Sequence, residues 1–351
     1  PSSVVDLLIQ LLADPDEIVR DRAQRSIHII GPDDRQLEAI VGLLHDERMD
    51  VRTEVAGNLI SSFGGRLKRA EQGFFDLLQS PETPHEMGDD LLMALADMPP
   101  SPERIANLTE LLRDEHLTFR AAEALLEMGL DEVHPILEVL QSPECTEFQG
   151  VCQAIGSLHH AIDEASTEAI SRYRTLADAV LPPLIDALCH EESDVRDYSA
   201  YAIHGLRSLA APATESLGQL LNDPSDSVRL QAIEAVGSIG TAAACAELST
   251  VLDHESNETR CEVAKALGYC ISASEAIPAL LRLLDDRNAD VQAAALESLD
   301  RFGSRALPAL DRCRHLLQAD DAWLRKWAAN VIGAIGPDAL VAEPDLCEAC
   351  R

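Results

Sequence analysis

Chemistry in this chain would have to come from a few clusters of ligand-type residues. His159 and His160 precede Asp163 and Glu164, giving two histidine–carboxylate pairs at i, i+4, the separation that puts both members on one helix face. A structural metal site needs four converging ligands. Adjacent residues on a helix point about 100° apart, so the two pairs diverge, and a solvated helix is the expected role. Cys347 and Cys350 form a CxxC at the C-terminal end. A structural zinc site usually takes two such pairs, so this one alone is expected to be a tail that holds no metal. The sequence contains no phosphate loop, dinucleotide-type glycine fingerprint, Gly-x-Ser-x-Gly or His-Glu-x-x-His string. No spacing of Ser, His and Asp singles out a triad. Neither a catalytic residue nor a cofactor is expected.

What could position any site is limited by composition. The chain has 351 residues, 46% hydrophobic but only 3% aromatic. Sandwiches and barrels draw on aromatic and β-branched strands, so the fold is expected to be helical, with a core large enough to exclude disorder. With 61 acidic against 28 basic side chains, the formal net charge is −33. A surface of that sign repels phosphate backbones and anionic headgroups, which argues against nucleic acid and membranes as partners and favours a basic protein. No stretch reaches the roughly 18 uninterrupted apolar residues of a membrane helix. Nine cysteines lie scattered, several inside apolar helical patterns, as buried free thiols do. With no visible signal peptide, a reducing cytoplasmic location is expected.

Internal repetition decides the architecture. An apolar helix ending Leu-Leu, a polar turn, and a Val-Arg pair opening a small-residue helix recur along the chain. Clear copies are Leu11-Leu12 to Val19-Arg20, Leu43-Leu44 to Val51-Arg52, Leu220-Leu221 to Val228-Arg229 and Leu316-Leu317 to Leu324-Arg325. The second residue of this slot falls at 20, 52, 86, 120, 149, 196, 229, 260, 292 and 325, so successive slots lie 29 to 34 residues apart except for one step of 47. Within the seventh copy Val228, Ala232, Ala235, Val236 and Ile239 form one apolar stripe that Gly240 should end. The turn aspartate, often followed by proline, is expected to cap the second helix. A single helical hairpin cannot bury both faces, so neighbours must stack. The expected fold is all-α, an α-solenoid of about ten stacked hairpins. It would form one array over 1–337, with an irregular longer connection near 157–180 and a C-terminal tail at 338–351.

The strings Asp14-Pro15…Val19-Arg20…Ala23 and Asp223-Pro224…Val228-Arg229…Ala232…Gly240 resemble the HEAT repeat family, especially its short, bilin-lyase-like variety. The resemblance covers about residues 4–337. It implies that first helices form the convex face, that second helices form the concave face, and that the turn aspartate and slot arginine support stacking. Some HEAT-repeat hydroxylases hold two irons on His-Glu pairs at equivalent helical positions. Here His190-Glu191 and His254-Glu255 fall in turns while His85-Glu86 occupies the slot, which argues against a di-iron site.

Counting from the slot valine as zero, positions 2, 3, 6 and 10 of each second helix should face out of the apolar stripe. In the C-terminal half these positions hold Tyr198, Tyr201, Lys265, Tyr269, Lys326 and Trp327. Four of the twelve aromatic residues and two of the three lysines therefore gather on one surface, with Arg196, Arg229, Arg260 and Arg325 close by. Aromatic and arginine side chains are the usual energetic anchors of interfaces. The sequence thus reads as a non-enzymatic scaffold or adaptor that holds a protein partner along its concave face. Alternatives are a lyase or chaperone-type subunit acting on a chromophore-bearing partner, by fold analogy alone, and a regulatory domain of a longer polypeptide. The latter is favoured by the start at Pro1 and by the open-ended Cys347–Cys350 tail.

Overall fold

The structure, a computed structural model, describes residues 4–114, 116–128 and 133–342. Among these residues there is no strand, and the helices pair into ten hairpins. The chain divides into two compact units, Pro1–Ile136 and Leu137–Arg351. In the first unit α1 (Val4–Leu11) pairs with α2 (Glu17–Ile30), and α3 (Asp34–Gly42) with α4 (Met49–Phe63). Then α5 (Glu71–Leu78) pairs with α6 (His85–Ala96), and α7 (Pro102–Leu111) with α8 (Thr118–Met128). The dividing point lies within α9 (His134–Leu140), which is followed by α10 (Phe148–Ser157) and the short α11 (His159–Asp163).

The second unit continues with α12 (Thr167–Ala187) and α13 (Ser193–Gly205), then α14 (Thr214–Leu220) and α15 (Asp226–Ile239). Its remaining hairpins are α16 (Ala242–Leu248) with α17 (Asn257–Leu267), α18 (Ala273–Leu283) with α19 (Ala289–Asp300), and α20 (Leu310–Leu316) with α21 (Ala322–Ile335). Second helices α10, α13, α15, α17, α19 and α21 pack in that succession, forming one layer of this unit. The 47-residue step is explained by α11 and by the 21-residue α12, a first helix several turns longer than its neighbours. At the other end the chain stays folded in 3₁₀ turns over Gly336–Ala342, with Ala339 and Ala342 buried.

The stripe read from the seventh repeat is the core of α15: Val228, Ala232, Ala235, Val236 and Ile239 are all buried. Gly240 ends the helix in the left-handed region at φ +65°, a conformation that costs glycine nothing. Its carbonyl then accepts from Ile271 N–H at 2.9 Å, tying one repeat to the next. Small residues let the second helices approach closely. A Cβ at Gly205 would lie 2.5 Å from the Gly156 Cα, and one at Gly237 would lie 2.8 Å from the Ala266 Cβ.

A regular clamp holds each turn. The residue six before the slot accepts a hydrogen bond from the N–H two residues on, as Asp14, Asp46, Asp223 and Asp286 do at 2.8–2.9 Å. His190 and His254 do the same through Nδ1, at 3.2 and 3.1 Å. These His-Glu dipeptides thus stand where Asp-Pro stands elsewhere, an imidazole nitrogen replacing the carboxylate. The aspartate shapes the turn and does not cap the helix, contrary to the sequence expectation. Its side chain is too far upstream, and the cap falls to the residue two positions on, as with Asp16 and Asn288.

The slot side chain completes the clamp by donating to the carbonyl six residues back. Examples are Arg20 on Asp14 (2.9 Å), Arg260 on His254 (2.7 Å) and Gln292 on Asp286 (2.8 Å). Arg196 and Arg260 also reach the next repeat, forking onto Asp223 (2.8 and 2.8 Å) and Asp286 (2.7 and 2.9 Å). Arg20, Arg196 and Arg260 are therefore struts between repeats, whereas Arg229 is buried within its own turn, on the Asp223 carbonyl and Asp226. This is the stacking role that the HEAT resemblance implied.

Cys245 on α16 and Cys270 just past α17 are paired as a disulfide within one hairpin, their Cα atoms 6.4 Å apart, where free thiols were expected. Sequence spacing alone does not reveal such pairings. Cys145, Cys152, Cys189, Cys261 and Cys313 are free. Cys347 and Cys350 lie outside the described residues.

Candidate functional site

The predicted surface residues separate into two neighbourhoods, both within the second unit. Lys265 and Tyr269 line a cavity of about 540 Å³ at the carboxyl ends of α13, α15 and α17. Lys326 and Trp327 form a patch with Trp323 on α21. There the Lys326 Nζ lies 3.9 Å from the Trp323 ring centre and 4.9 Å from that of Trp327, and the two indoles meet edge-on at 6.3 Å. Trp323 is 56% exposed, whereas Trp327 is partly buried. Sequence register passed over Trp323, which sits in the first turn, one residue before the slot.

The tyrosines differ in exposure. Tyr269 is 58% exposed, with the Arg301 guanidinium 4.6 Å from its ring centre. Tyr198 and Tyr201 are partly buried. Burial, together with Asp194 and Asp197, pushes the Tyr198 hydroxyl up from its ordinary range. The Tyr201 ring lies on Gly156, so close that a Cβ there would touch it, and it stacks on His204 at 6.5 Å with 15° between planes. Tyr201 thus serves first as packing between α10 and α13.

The cavity is assembled from segments far apart in sequence. The start of α11 contributes His159, the end of α13 and the turn after it contribute His204 and Arg207, and α15 contributes Glu234 and Ser238. From α17 and the residues just past it come Glu262, Lys265 and Tyr269. Arg207 has φ +54°, the only positive φ outside glycine among the described residues, and this left-handed residue turns the chain out of α13. Strain of this kind persists only where packing over-determines it.

The charges in the cavity are largely committed to one another. Arg207 donates to Asp163 at 2.9 Å, and Lys265 to Glu262 at 2.6 Å. His159 Nδ1 donates to the Gly156 carbonyl at 2.9 Å, and its ring meets His204 edge-on at 6.0 Å. Burial, Arg207 and His159 all push the His204 imidazole below its ordinary range, keeping it neutral. Glu234 behaves in the opposite way. Desolvation and the carboxylates of Glu262 and Asp197 push its carboxyl up, against the pull of Lys265. No described residue forms a hydrogen bond or close ion pair with that carboxylate.

The histidines at 159 and 160 do not meet carboxylates as metal ligands would, since Asp163 turns to Arg207. Among the described residues no group of three or more His, Cys, Asp or Glu side chains is placed to hold a metal. Nor is any helix long and apolar enough to cross a membrane. A second cavity, about 610 Å³ in the first unit, lies among the turns that carry Ser80, Thr83, Asp114 and His116. Its Arg120 is already held by Asp89 (3.0 Å) and Glu123 (2.7 Å). The means supplied by the second unit's face are ring surfaces, cationic stems and an exposed carboxylate, Glu234, that forms no ion pair with a described residue, which are means of binding.

The sequence profile of HEAT repeats matches this chain in four overlapping segments, 181–260, 214–300, 246–315 and 277–350. No curated protein matches it in sequence. Among solved structures, Kap121p bound to Ste12p is similar at 15% identity and a TM-score of 0.64, the match covering 99% of this chain and 43% of that one. Kap121p bound to Nup53p gives 14% and 0.63, covering 99% and 43%. Kap95p, whose binding induces the switch loops of RanGDP to adopt the GTP-bound conformation, gives 13% and 0.54, covering 99% and 58%. The chain thus spans under half the length of Kap121p, and at these identities the likeness is one of fold.

Proposed function

We propose that this chain, whose residues 181–350 match HEAT repeats, is a non-enzymatic scaffold or adaptor that holds a protein partner on the second-helix face of its C-terminal unit. The observation that carries this reading is the concentration of exposed ring and cationic surface on one helix layer. Tyr269 with Arg301, and Trp323 with Lys326 and Trp327, stand out in a chain only 3% aromatic. Such side chains are enriched among interface hot spots. Structures of similar fold bind proteins, as Kap121p binds Ste12p and Nup53p. The net charge of −33 favours a basic partner, steered to the face by long-range attraction. A cytoplasmic setting suits this role.

The test uses Trp327→Ala. A partner is isolated from the native host, identified by mass spectrometry and remeasured as a purified pair. Binding is expected to weaken by about 2 kcal/mol, roughly 30-fold. Folding stability should fall by only about 1 kcal/mol, because the ring is partly exposed and leaves no closed cavity. Unchanged affinity in a mutant destabilised by about 3 kcal/mol or more would make the indoles packing and place the partner elsewhere.

A further inference from the structure

The cavity at the ends of α13, α15 and α17 is large enough for a long side chain, and its charge balance names the kind. Both cations on its wall are ion-paired, Arg207 with Asp163 and Lys265 with Glu262, although the buried Arg207 Nε meets no described acceptor. The carboxylate of Glu234 is left over. Its side chain is exposed, yet desolvation within the cavity and two like charges, Glu262 and Asp197, push its carboxyl up, so an arriving cation would relieve it. The carboxyl ends of three helices converge here, and helix carboxyl ends carry partial negative charge. The Tyr269 ring, on the same wall, already takes one guanidinium, that of Arg301.

We propose that this cavity receives an arginine side chain of the protein partner, its guanidinium on Glu234 and its plane against the exposed ring of Tyr269. Arginine fits better than lysine because its flat, weakly hydrated head can stack on the ring and fork onto a carboxylate at once. Lys265 shows how such a site is filled, a flexible stem bringing one cation onto Glu262. The inference rests on the scaffold reading and adds the chemistry of one subsite.

The probe is an acetylated, amidated Gly-Ser-Arg-Ser-Gly peptide titrated into the full chain and followed by saturation-transfer NMR at the arginine side-chain protons. Saturable transfer is expected, at least ten-fold weaker for the same peptide carrying citrulline, a neutral isostere. Glu234→Gln should weaken binding by a similar factor, Tyr269→Leu should weaken it several-fold, and Trp327→Ala should leave it unchanged. Equal binding of the citrulline peptide, or indifference to Glu234→Gln, would overturn the proposal. So would a preference for lysine, or for a glutamate peptide drawn to Arg207 and Lys265. Capture of the native partner separates the two readings. Capture that survives Glu234→Gln but is lost with Trp327→Ala keeps the scaffold and removes the arginine subsite. Capture indifferent to both removes the scaffold reading itself.

Discussion

Replacing Arg260 by alanine should destabilise the C-terminal unit by about 3–5 kcal/mol, the cost of breaking a buried charge pair from one side. The guanidinium is 4% exposed and makes four kinds of contact. It donates to the His254 and Glu255 carbonyls at 2.7 and 3.2 Å, to the Asn257 side chain at 2.7 Å, and to both oxygens of Asp286 in the next repeat. Alanine leaves the Asp286 carboxylate, 10% exposed, without its counter-charge. Lysine should not rescue, since one ammonium cannot serve two turn carbonyls and fork onto a carboxylate together. The loss also changes the acid limb of stability. The Arg260 guanidinium and the Asn288 N–H hold the Asp286 carboxyl below its ordinary range, against the opposing effect of burial. A depressed folded pKa contributes stability above the unfolded value of about 3.9 that is lost as pH falls through the folded value. Arg260→Ala should therefore lower the urea midpoint at neutral pH much more than at pH 2. An equal loss at both pH values, or one under 1 kcal/mol at neutral pH, would deny Arg260 its role as a strut.

Gly205→Leu should cost about 3 kcal/mol or more, at the upper end of overpacking, because backbone stands in the way of the new side chain. A Cβ at Gly205 would lie 2.5 Å from the Gly156 Cα, the Gly156 carbonyl oxygen and the Ile155 carbonyl oxygen alike. Relief requires α10 and α13 to separate. Separation moves Tyr201, which lies on Gly156, and His204, which stacks on Tyr201, so a cavity wall moves with it. Stability and binding of the arginine peptide should fall together. Gly333→Ala is the contrast, since its Cβ would meet nothing within 4 Å, and on α21 it should stabilise by about 0.5–1 kcal/mol. Thermal melts of both variants decide this, and a neutral Gly205→Leu would mean that the helices are not in contact as described.

The hairpins were legible because the clearest repeats state their pattern locally, Leu-Leu closing one helix and a Val-Arg pair opening the next, and the constant spacing places the weaker copies. Ten slots found by sequence are ten second helices in the structure. The same register that drew attention to Lys265 and Tyr269 also contains Glu234 and Ser238 at positions 6 and 10 of α15. Neither carries a ring or a base, so neither stands out among the chain's 61 acids and its many serines. Arg207 and His159 follow no register, since one lies in a strained turn and the other in the short extra helix α11. Their convergence depends on α10 and α13 touching at Gly156 and Gly205, a contact that glycine permits but does not announce. The histidine turns were visible as dipeptides yet unreadable as turn-formers until their place six residues before the slot arginine was seen. The bridging role of Arg196 and Arg260 has the same origin: sequence shows a charge, and only stacking shows the aspartate of the next repeat waiting for it.

The most direct test of the central claim is site-specific photo-crosslinking to the purified partner. A photoreactive residue is placed either at Tyr269, on the second-helix face, or at Arg282, an exposed side chain on the first helix α18. A partner held on the second-helix face should crosslink from position 269 and not from position 282. Crosslinking from 282 alone would contradict the account and move the interaction surface to the first helices.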